Sequence, residues 1–229
     1  MIRIGDYWGE KYEYFRYYIP FRIRHGIKLV NWRHCMEAVK DPEMYMHPGF
    51  VPRRNDVVWD IGSQFGDYAL ICSEVPNTEI FAFELNKDNY YELQANLKMN
   101  RTCNIFPYGC AIGDGTIIKY RMEGAMAVAS DDGTEVYAHR LDDLSIKKPN
   151  IIKIDVEGFE LEVLKGARKS LEENSVRLIV ETHSTQLRKQ VDEFLSELNY
   201  FPVHVGRTVK GKDWMDEVSN VFYTKEVKK

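Results

Sequence analysis

The sequence predicts an α/β fold with a mostly parallel sheet, a terminal antiparallel hairpin, a small β-ribbon insertion and an N-terminal cap. Three observations support this prediction. Apolar strands alternate with amphipathic helices between residues 57 and 198, as in the crossover units of a parallel sheet. The alternation is interrupted once, at 116–140, by short runs separated by hairpin turn signals. Two further candidate strands, at 200–203 and 220–224, follow the last helix.

The first strand and the turn after it are the most informative stretch. Residues 57–70 read VVWDIGSQFGDYAL, in which an apolar strand ends at Asp60 and Gly62 and Gly66 open a helix. Such a turn presents bare backbone amides and a helix N-terminus to a ligand. The next strand, EIFAFE, ends in Glu84, an acid placed to accept hydrogen bonds from a ribose. Since the spacing Asp-x-Gly-x-x-x-Gly is not that of dinucleotide enzymes, we expect an adenosyl ligand, S-adenosylmethionine. A tight connection without a ligand is the alternative.

The elements that follow continue the alternation. A helix is expected from about Asn86 to Met99, and NIFPYGCAI at 104–112 is the next strand. Residues 116–140 contain the turn signals Glu123-Gly124 and Asp131-Asp132-Gly133, so they predict a small antiparallel ribbon.

The parallel pattern then resumes. NIIKIDVEG at 150–158 is a buried strand, one helix aligns apolar residues over 161–171, and VRLIVETH at 176–183 is the next strand. A last amphipathic helix over 187–198 precedes the two closing strands.

The first 54 residues form a segment of their own, ahead of a predicted cofactor-binding domain at 55–229. The segment crowds aromatic side chains together with arginines: Tyr7, Trp8, Tyr12, Tyr14, Phe15, Tyr17, Tyr18, Arg16, Arg22 and Arg24. Such a composition suits an amphipathic cap or a subunit contact, and stacking on nucleic-acid bases is the alternative. We favour a cap or a homodimer contact because the chain is acidic overall.

Composition narrows the class of partner. The net charge of −4 and the isoelectric point near 5.9 give no electrostatic footprint for nucleic acid, which favours a small hydroxylated acceptor.

The four cysteines form no Cys-x-x-Cys pair and are expected to be reduced, mostly buried thiols. No apolar stretch reaches the ~20 residues that a membrane span needs. The charged N-terminus lacks a signal-peptide pattern, so we expect a cytoplasmic protein.

Acidic residues and one histidine stand at the carboxyl ends of the later strands, which border the ligand crevice in a parallel sheet. Asp155 and Glu157 follow one strand, and Glu181 and His183 end the next. Glu157 and Asp155 are candidates for the site or for helix capping. His183 is a candidate general base because the ordinary histidine pKa is ~6.5, or a structural group. A divalent ion between Asp155 and Glu181 is open, but no ligand spacing demands it, so no metal is assigned.

The ordered set DIGSQFGDYAL, FAFE, AIGDG, LDDL, IKIDVEGFELEVLKGA and IVETH resembles the FkbM-type methyltransferase family, over roughly residues 55–205. The resemblance implies a Rossmann-like, S-adenosylmethionine-dependent O-methyltransferase sheet, with acceptors that include hydroxyls of sugars and polyketide-type products. By this resemblance the residues at the cofactor are Asp60, Gly62, Ser63, Gln64, Gly66, Glu84, Leu85, Ile112, Gly113 and Asp155. The candidate catalytic residues are Asp155, Glu157, Glu181 and His183.

The leading hypothesis is therefore an enzyme that methylates a hydroxyl of a small molecule or a glycan. RNA or protein methylation is a rival, although the chain lacks the Asn-Pro-Pro-Tyr type of strand end that grips an exocyclic amine. A non-catalytic adenosyl-binding partner subunit is the rival from another class.

Overall fold

The structure is a computed structural model that describes residues 44–210 and 217–225. The aromatic run at 7–18 lies outside the described residues. The interpretation of the N-terminal segment as a cap or a dimer contact therefore stays a prediction, as does the boundary at residue 54.

The described elements alternate as expected. The strands are β1 (Val57–Ile61), β2 (Glu79–Phe83), β3 (Ile105–Tyr108), β4 (Ala111–Ile112), β5 (Ile117–Glu123), β6 (Met126–Ala129), β7 (Thr134–His139), β8 (Ile151–Ile154), β9 (Arg177–Thr182), β10 (Tyr200–Lys210) and β11 (Glu217–Lys225). The helices are α1 (Asp67–Ser73), α2 (Lys87–Asn100), α3 (Glu160–Gly166), α4 (Arg168–Glu173) and α5 (Thr185–Glu197).

Seven of the described strands form one sheet in the order β10-β11-β9-β8-β1-β2-β3. The five strands from β9 to β3 run parallel, while β11 and β10 pair antiparallel at one edge. This confirms the predicted mostly parallel sheet that ends in a hairpin. The carboxyl ends of the five parallel strands consequently lie along one edge of the sheet.

Both faces of this sheet are covered, because successive side chains of a strand point to opposite faces. In β1, Val58 packs against α1, α2 and residues 44–50, whereas Trp59 and Ile61 pack against α3, α4 and α5. The near-continuous apolar runs of β1, β8 and β9 are what burial on two faces requires. The core is therefore two apolar layers with the sheet between them.

A second, four-stranded sheet has the order β4-β7-β5-β6. Its antiparallel β5, β6 and β7 confirm the predicted ribbon, with turns at the two expected places. The prediction of one strand over 104–112 was wrong, since this stretch divides into β3 of the large sheet and β4 of the small one. Pro107 has no N–H to offer a further strand, and β3 accordingly lies at the sheet edge.

The single helix expected over 161–171 is two helices, α3 and α4, that meet at Ala167. The carboxylate of Asp142 accepts hydrogen bonds from the amides of Lys169 and Ser170, at 2.7 and 2.9 Å. Because these amides are capped by a side chain, the first turn of α4 starts anew instead of continuing α3. The apolar stripe still continues, with Leu164, Ala167 and Leu171 all buried.

Residues 44–54 are tied to the large sheet beneath them. Arg177 of β9 donates to the backbone carbonyls of Gly49 and Val51, at 3.1 and 2.9 Å, and forms an ion pair with Asp56. The ring of Phe50 packs edge-on against Phe222 of β11. These contacts hold the stretch that carries Tyr45 against the core.

None of the described helices is long and apolar enough to cross a membrane. The thiols are less uniformly buried than expected, because Cys72 is buried, Cys110 half-buried and Cys103 exposed. Cys35 lies outside the described residues.

We predict that Arg177→Met lowers the free energy of unfolding by about 2–3 kcal/mol, because Asp56 loses its cation and the carbonyls of Gly49 and Val51 lose a donor. Urea unfolding measures this change. Lys189→Ala is the matched control, since it removes an exposed ion pair with Glu193 and should cost less than about 0.5 kcal/mol. Equal effects of the two substitutions would contradict the role assigned to Arg177.

Candidate active site

A cavity opens above the carboxyl ends of β1, β2 and β8, and the small sheet roofs it through Ile118, Ala125, Met126 and Ala127. Its volume is about 1020 Å³ including the space at its mouth, a size typical of small-molecule sites. Asn89 of α2 connects the small sheet to the rest of the cavity wall, because its Nδ2 donates to the carbonyl of Ala125 at 2.8 Å.

The glycine turn after β1 lies against this cavity, but not as expected. The amides of Gly62 and Ser63 both donate to the carbonyl of Phe83, at 3.0 and 2.9 Å, and that of Gln64 donates to Glu84. The prediction of bare amides near Gly62 was therefore wrong. Gly62 is needed for space: its φ is +77°, and a Cβ there would lie 1.7 Å from the carbonyl oxygen of Asp155.

Glu84 stands at the cavity wall, as its place at the strand end predicts. Its carboxylate accepts from the amides of Gln64 and Asn86, at 2.8 and 2.7 Å, and from the Nδ2 of Asn89 at 3.3 Å. A carboxylate offers about four lone-pair positions, so one remains for a ligand hydroxyl. Burial raises the pKa of Glu84 to about 7, against the opposing effect of these donors.

Seven of the ten residues assigned to the cofactor line the cavity: Gly62, Ser63, Gln64, Glu84, Leu85, Ile112 and Asp155. Three do not. Gly66 caps α1 with φ +84°, and a Cβ on Gly113 would lie 2.7 Å from that of Ala138, so both serve the packing of the chain. Asp60 is fully buried beneath the cavity.

Asp60 pairs with a lysine that the sequence analysis left unassigned. The Nζ of Lys153 lies 3.4 Å from Asp60 Oδ1 and 3.4 Å from Asp155 Oδ2, and donates to the carbonyl of Gly62 at 2.8 Å. Burial would lower the pKa of Lys153, but the two carboxylates outweigh it and raise the pKa well above the ordinary value. The sequence could have indicated a role for Lys153, because a lysine within the apolar strand IIKID is buried and a buried ammonium needs charged or polar partners.

Asp155 and Glu157 both line the cavity, in the turn between β8 and α3. Glu160, at the start of α3, holds this turn because its Oε1 accepts from the amides of Val156 and Gly158, at 3.2 and 3.1 Å. Glu157 has a φ of +53°, a left-handed conformation that few non-glycine residues adopt. The turn thus directs two neighbouring carboxylates toward one space.

His183 lies behind these acids and not in the cavity wall. Its Nδ1 is 2.9 Å from Glu160 Oε1, and its Nε2 is 3.2 Å from Glu157 Oε2 and 3.8 Å from Asp155 Oδ1. Burial would lower the pKa of His183, but the carboxylates, Glu160 foremost, raise it to about 10. The expectation of an ordinary histidine pKa was therefore wrong, and at neutral pH His183 is an imidazolium that has no lone pair for a proton.

The surroundings shift the pKa values of the two cavity acids, Asp155 and Glu157, in opposite directions. Burial favours the neutral form of both. For Asp155, the charges of Lys153 and His183 outweigh burial and lower the pKa. For Glu157, burial dominates and raises the pKa to about 8. Two adjacent acids with pKa values on opposite sides of the ordinary range are typical of sites that move protons.

Glu181 is buried next to Asp155, outside the cavity wall. Its Oε2 lies 2.8 Å from the hydroxyl of Tyr45 and 2.8 Å from the Nδ2 of Asn220. Burial, together with the charge of Asp155, raises the pKa of Glu181 to about 7. Neither Tyr45 nor Asn220 could be found from spacing, because one lies in a turn-rich linker and the other in an ordinary closing strand.

Asp155, Glu181 and His183 each offer one potential metal-ligand atom, and these atoms lie within 4.8 Å of one another. Two positive charges already face these carboxylates: His183 is one of the three residues, and the Nζ of Lys153 lies 3.4 Å from Asp155 Oδ2. A divalent ion there would have to displace the proton of His183, so the arrangement gives no reason to assign a metal.

Comparison with known sequences identifies the family. The sequence model described as Methyltransferase FkbM domain matches residues 60–202. The chain belongs to the FkbM methyltransferase family. One relative, the hexuronic acid methyltransferase AglP of Haloferax volcanii, is 36% identical over 156 residues. These residues cover 62% of this chain and 62% of AglP, so the chain spans less than two thirds of that relative.

Two solved structures show the same fold. A methyltransferase FkbM from Methylobacillus flagellatus has a TM-score of 0.57 at 20% identity, covering 78% of this chain and 46% of its own. An S-adenosylmethionine-dependent O-methyltransferase from Thermotoga maritima has a TM-score of 0.52 at 12% identity, covering 77% and 62%. The α/β fold of this FkbM chain is therefore of the Rossmann-like methyltransferase type.

We predict that His183 titrates near pH 10, and that Glu160→Gln lowers this pKa by at least about one unit, because it removes the closest negative charge. Nitrogen-15 NMR of the imidazole measures both values. A folded-state pKa above the ordinary value stabilises the fold fully below pH ~6.5, and this stabilisation is lost as the pH rises through about 10.

Glu135→Gln is the control, since this exposed acid of β7 pairs with Lys119 and should leave the titration of His183 unchanged. An imidazole that titrates near its ordinary pKa in the wild type would show that His183 is neutral in the site.

Proposed function

We propose that this protein is an S-adenosylmethionine-dependent O-methyltransferase that acts on a hydroxyl of a sugar or glycan. The observation that carries the proposal is a single cavity in which Glu84 and the Gly62 turn adjoin two acids with opposite pKa shifts. Membership of the FkbM family supports methyl transfer, and the name of the 36% identical relative, a hexuronic acid methyltransferase, supports a sugar acceptor.

The charges of the cavity suit this cofactor better than a nucleotide with phosphates. Its wall carries the acids Asp67, Glu84, Asp155 and Glu157 and one ammonium, that of Lys153. The amides of the turn, which would bind phosphate in a dinucleotide enzyme, are used within the protein. Acidic walls repel phosphates and attract a sulfonium cation.

When bound, S-adenosylmethionine supplies a methyl carbon on positively charged sulfur, and the acceptor oxygen takes this carbon as the carbon–sulfur bond breaks. Placement of the acceptor hydroxyl is the main task of the protein, because such displacements depend on geometry. We assign placement to Asp155, which stays ionised and can accept a hydrogen bond from the hydroxyl. We assign the proton to Glu157, because a general base is most effective when its pKa lies near the working pH.

The decisive experiment measures formation of S-adenosylhomocysteine with methyl glycosides of glucuronic and galacturonic acid, with glucose, and with a single-stranded RNA. We expect turnover with a sugar only, and no change on addition of EDTA. Calorimetry of S-adenosylhomocysteine binding should show about tenfold weaker affinity for Glu84→Ala, which loses an acceptor for ribose. Cofactor binding without turnover of any acceptor would indicate a non-catalytic subunit, and turnover of RNA alone would overturn the sugar assignment.

We predict that kcat/KM falls about tenfold per pH unit below pH 8, because Glu157 must lose its proton before it can accept another. Glu157→Gln should lower kcat about a hundredfold at pH 8 and remove this dependence. The matched control is Glu162→Gln in α3, an acid outside the cavity wall that faces Lys165. An unchanged pH profile in Glu157→Gln would assign the base to another residue.

A further inference from the structure

Tyr45 reaches the site from outside the part of the chain that matches the family. The match covers residues 60–202, whereas Tyr45 lies 15 positions before it. Its side chain nevertheless lines the cavity and is 5% exposed. The residue therefore adds to the site a group that the shared domain does not contain.

The hydroxyl of Tyr45 lies between two acids. It is 2.8 Å from Asp155 Oδ2 and 2.8 Å from Glu181 Oε2, distances at which hydroxyl–carboxylate hydrogen bonds form. A phenol has one proton to donate, so it can satisfy only one of two ionised carboxylates. If both acids were ionised, the carboxylate oxygen that does not receive the phenol proton would lie against the phenol oxygen with no hydrogen between them, and this contact is repulsive. Two good hydrogen bonds at these distances require a second proton, and one of the two acids must supply it.

The surroundings decide which acid is neutral. Asp155 lies 3.4 Å from the ammonium of Lys153 and 3.8 Å from the imidazolium of His183, and these positive charges keep it ionised. Glu181 has Asn220 as a neutral donor at 2.8 Å and the negative charge of Asp155 beside it. When two carboxyl groups are buried close together, the arrangement in which one of them is neutral is more stable, because two adjacent negative charges repel each other.

We propose that Tyr45 is a positioning residue. Its hydroxyl donates a hydrogen bond to Asp155 and accepts a hydrogen bond from a neutral Glu181, and this arrangement leaves Asp155 as the ionised acid of the pair. This inference rests on the proposed function, in which Asp155 holds the acceptor hydroxyl. Tyr45 does not touch the reacting atoms in this role. It acts by setting the protonation and the orientation of the residue that does.

Packing holds Tyr45 in place for this role. Its ring lies edge-on to Tyr68 with 5.6 Å between centroids, and the Nζ of Lys153 lies 5.1 Å from its ring centre. The neighbouring Met44 and Met46 are buried in the same apolar layer. The charged groups that face the Asp155–Tyr45–Glu181 bridge from the surrounding elements are Asp60, Lys153, Glu157, Glu160 and His183.

The test compares Tyr45→Phe with Tyr68→Phe. Both remove one hydroxyl from a buried tyrosine of the same layer, but the hydroxyl of Tyr68 makes no hydrogen bond to Asp155 or Glu181. Asp155 loses the hydrogen bond that orients its carboxylate, so we expect kcat/KM of Tyr45→Phe to fall about tenfold at pH 7. Tyr68→Phe should follow the wild type at every pH.

Carbon-13 NMR titration of the Asp155 and Glu181 carboxyl groups tests the inference without an acceptor. Asp155→Asn and Glu181→Gln assign the two signals. We expect Glu181 to be neutral and Asp155 ionised at pH 6 in the wild type. In Tyr45→Phe, Asp155 loses a donor and should titrate about one unit higher, whereas Glu181 loses the acceptor for its proton and should titrate lower. If Tyr45→Phe does not fold, Glu181→Gln serves as the second variant. As an uncharged stand-in for a neutral Glu181, it should leave Asp155 ionised at pH 6, as in the wild type.

Two results would overturn the inference: wild-type carboxyl titrations that show Glu181 ionised at pH 6, or a Tyr45→Phe protein in which both carboxyl groups titrate higher than in the wild type. Absence of turnover in the wild type with every acceptor would instead count against the proposed function, and the NMR titration would still decide the role of Tyr45.

Discussion

The buried ammonium of Lys153 is the interaction on which the site depends. It compensates Asp60 in β1 and Asp155 at the end of β8, and it binds the carbonyl of Gly62 in the turn between β1 and α1. Without this charge, two carboxylates would be buried side by side with no cation between them, a cost of several kcal/mol. One side chain thus joins the cofactor turn to the acids of the candidate active site.

A polar row across the sheet follows from strand geometry. Asp60, Lys153, Glu181 and Asn220 lie on the same face of four neighbouring strands, β1, β8, β9 and β11, because each is two residues away from an apolar residue of that face. Tyr45 covers the middle of this row, with its hydroxyl 2.8 Å from Glu181 and its ring centre 5.1 Å from the Nζ of Lys153. The positive charges of Lys153 and His183 beside the row give neighbouring carboxyl groups different pKa values in one small volume.

The sequence was a good guide wherever a local pattern carries the information. Gly62 after the first strand, Glu84 at a strand tip, and the pair Asp155 and Glu157 were all found at the cavity wall because strand ends converge by topology. The sequence was a poor guide where the role of a residue depends on the groups that it contacts in the folded chain. The amides near Gly62 are not bare because Phe83 and Glu84 of the next strand accept from them. The pKa of His183 is raised because the carboxylate of Glu160, from another element, lies 2.9 Å from the Nδ1 of its ring.

By itself the sequence determined the main order of strands and helices, the parallel sheet with its closing hairpin, and the edge at which the cavity opens, since periodicity and turn chemistry are local properties of the chain. Tertiary structure alone decided the pKa shifts of the acids and the entry of Tyr45 into the cavity wall. Charge states depend on distances of a few ångströms between residues as many as 136 positions apart, as between Tyr45 and Glu181, and no sequence spacing encodes such distances.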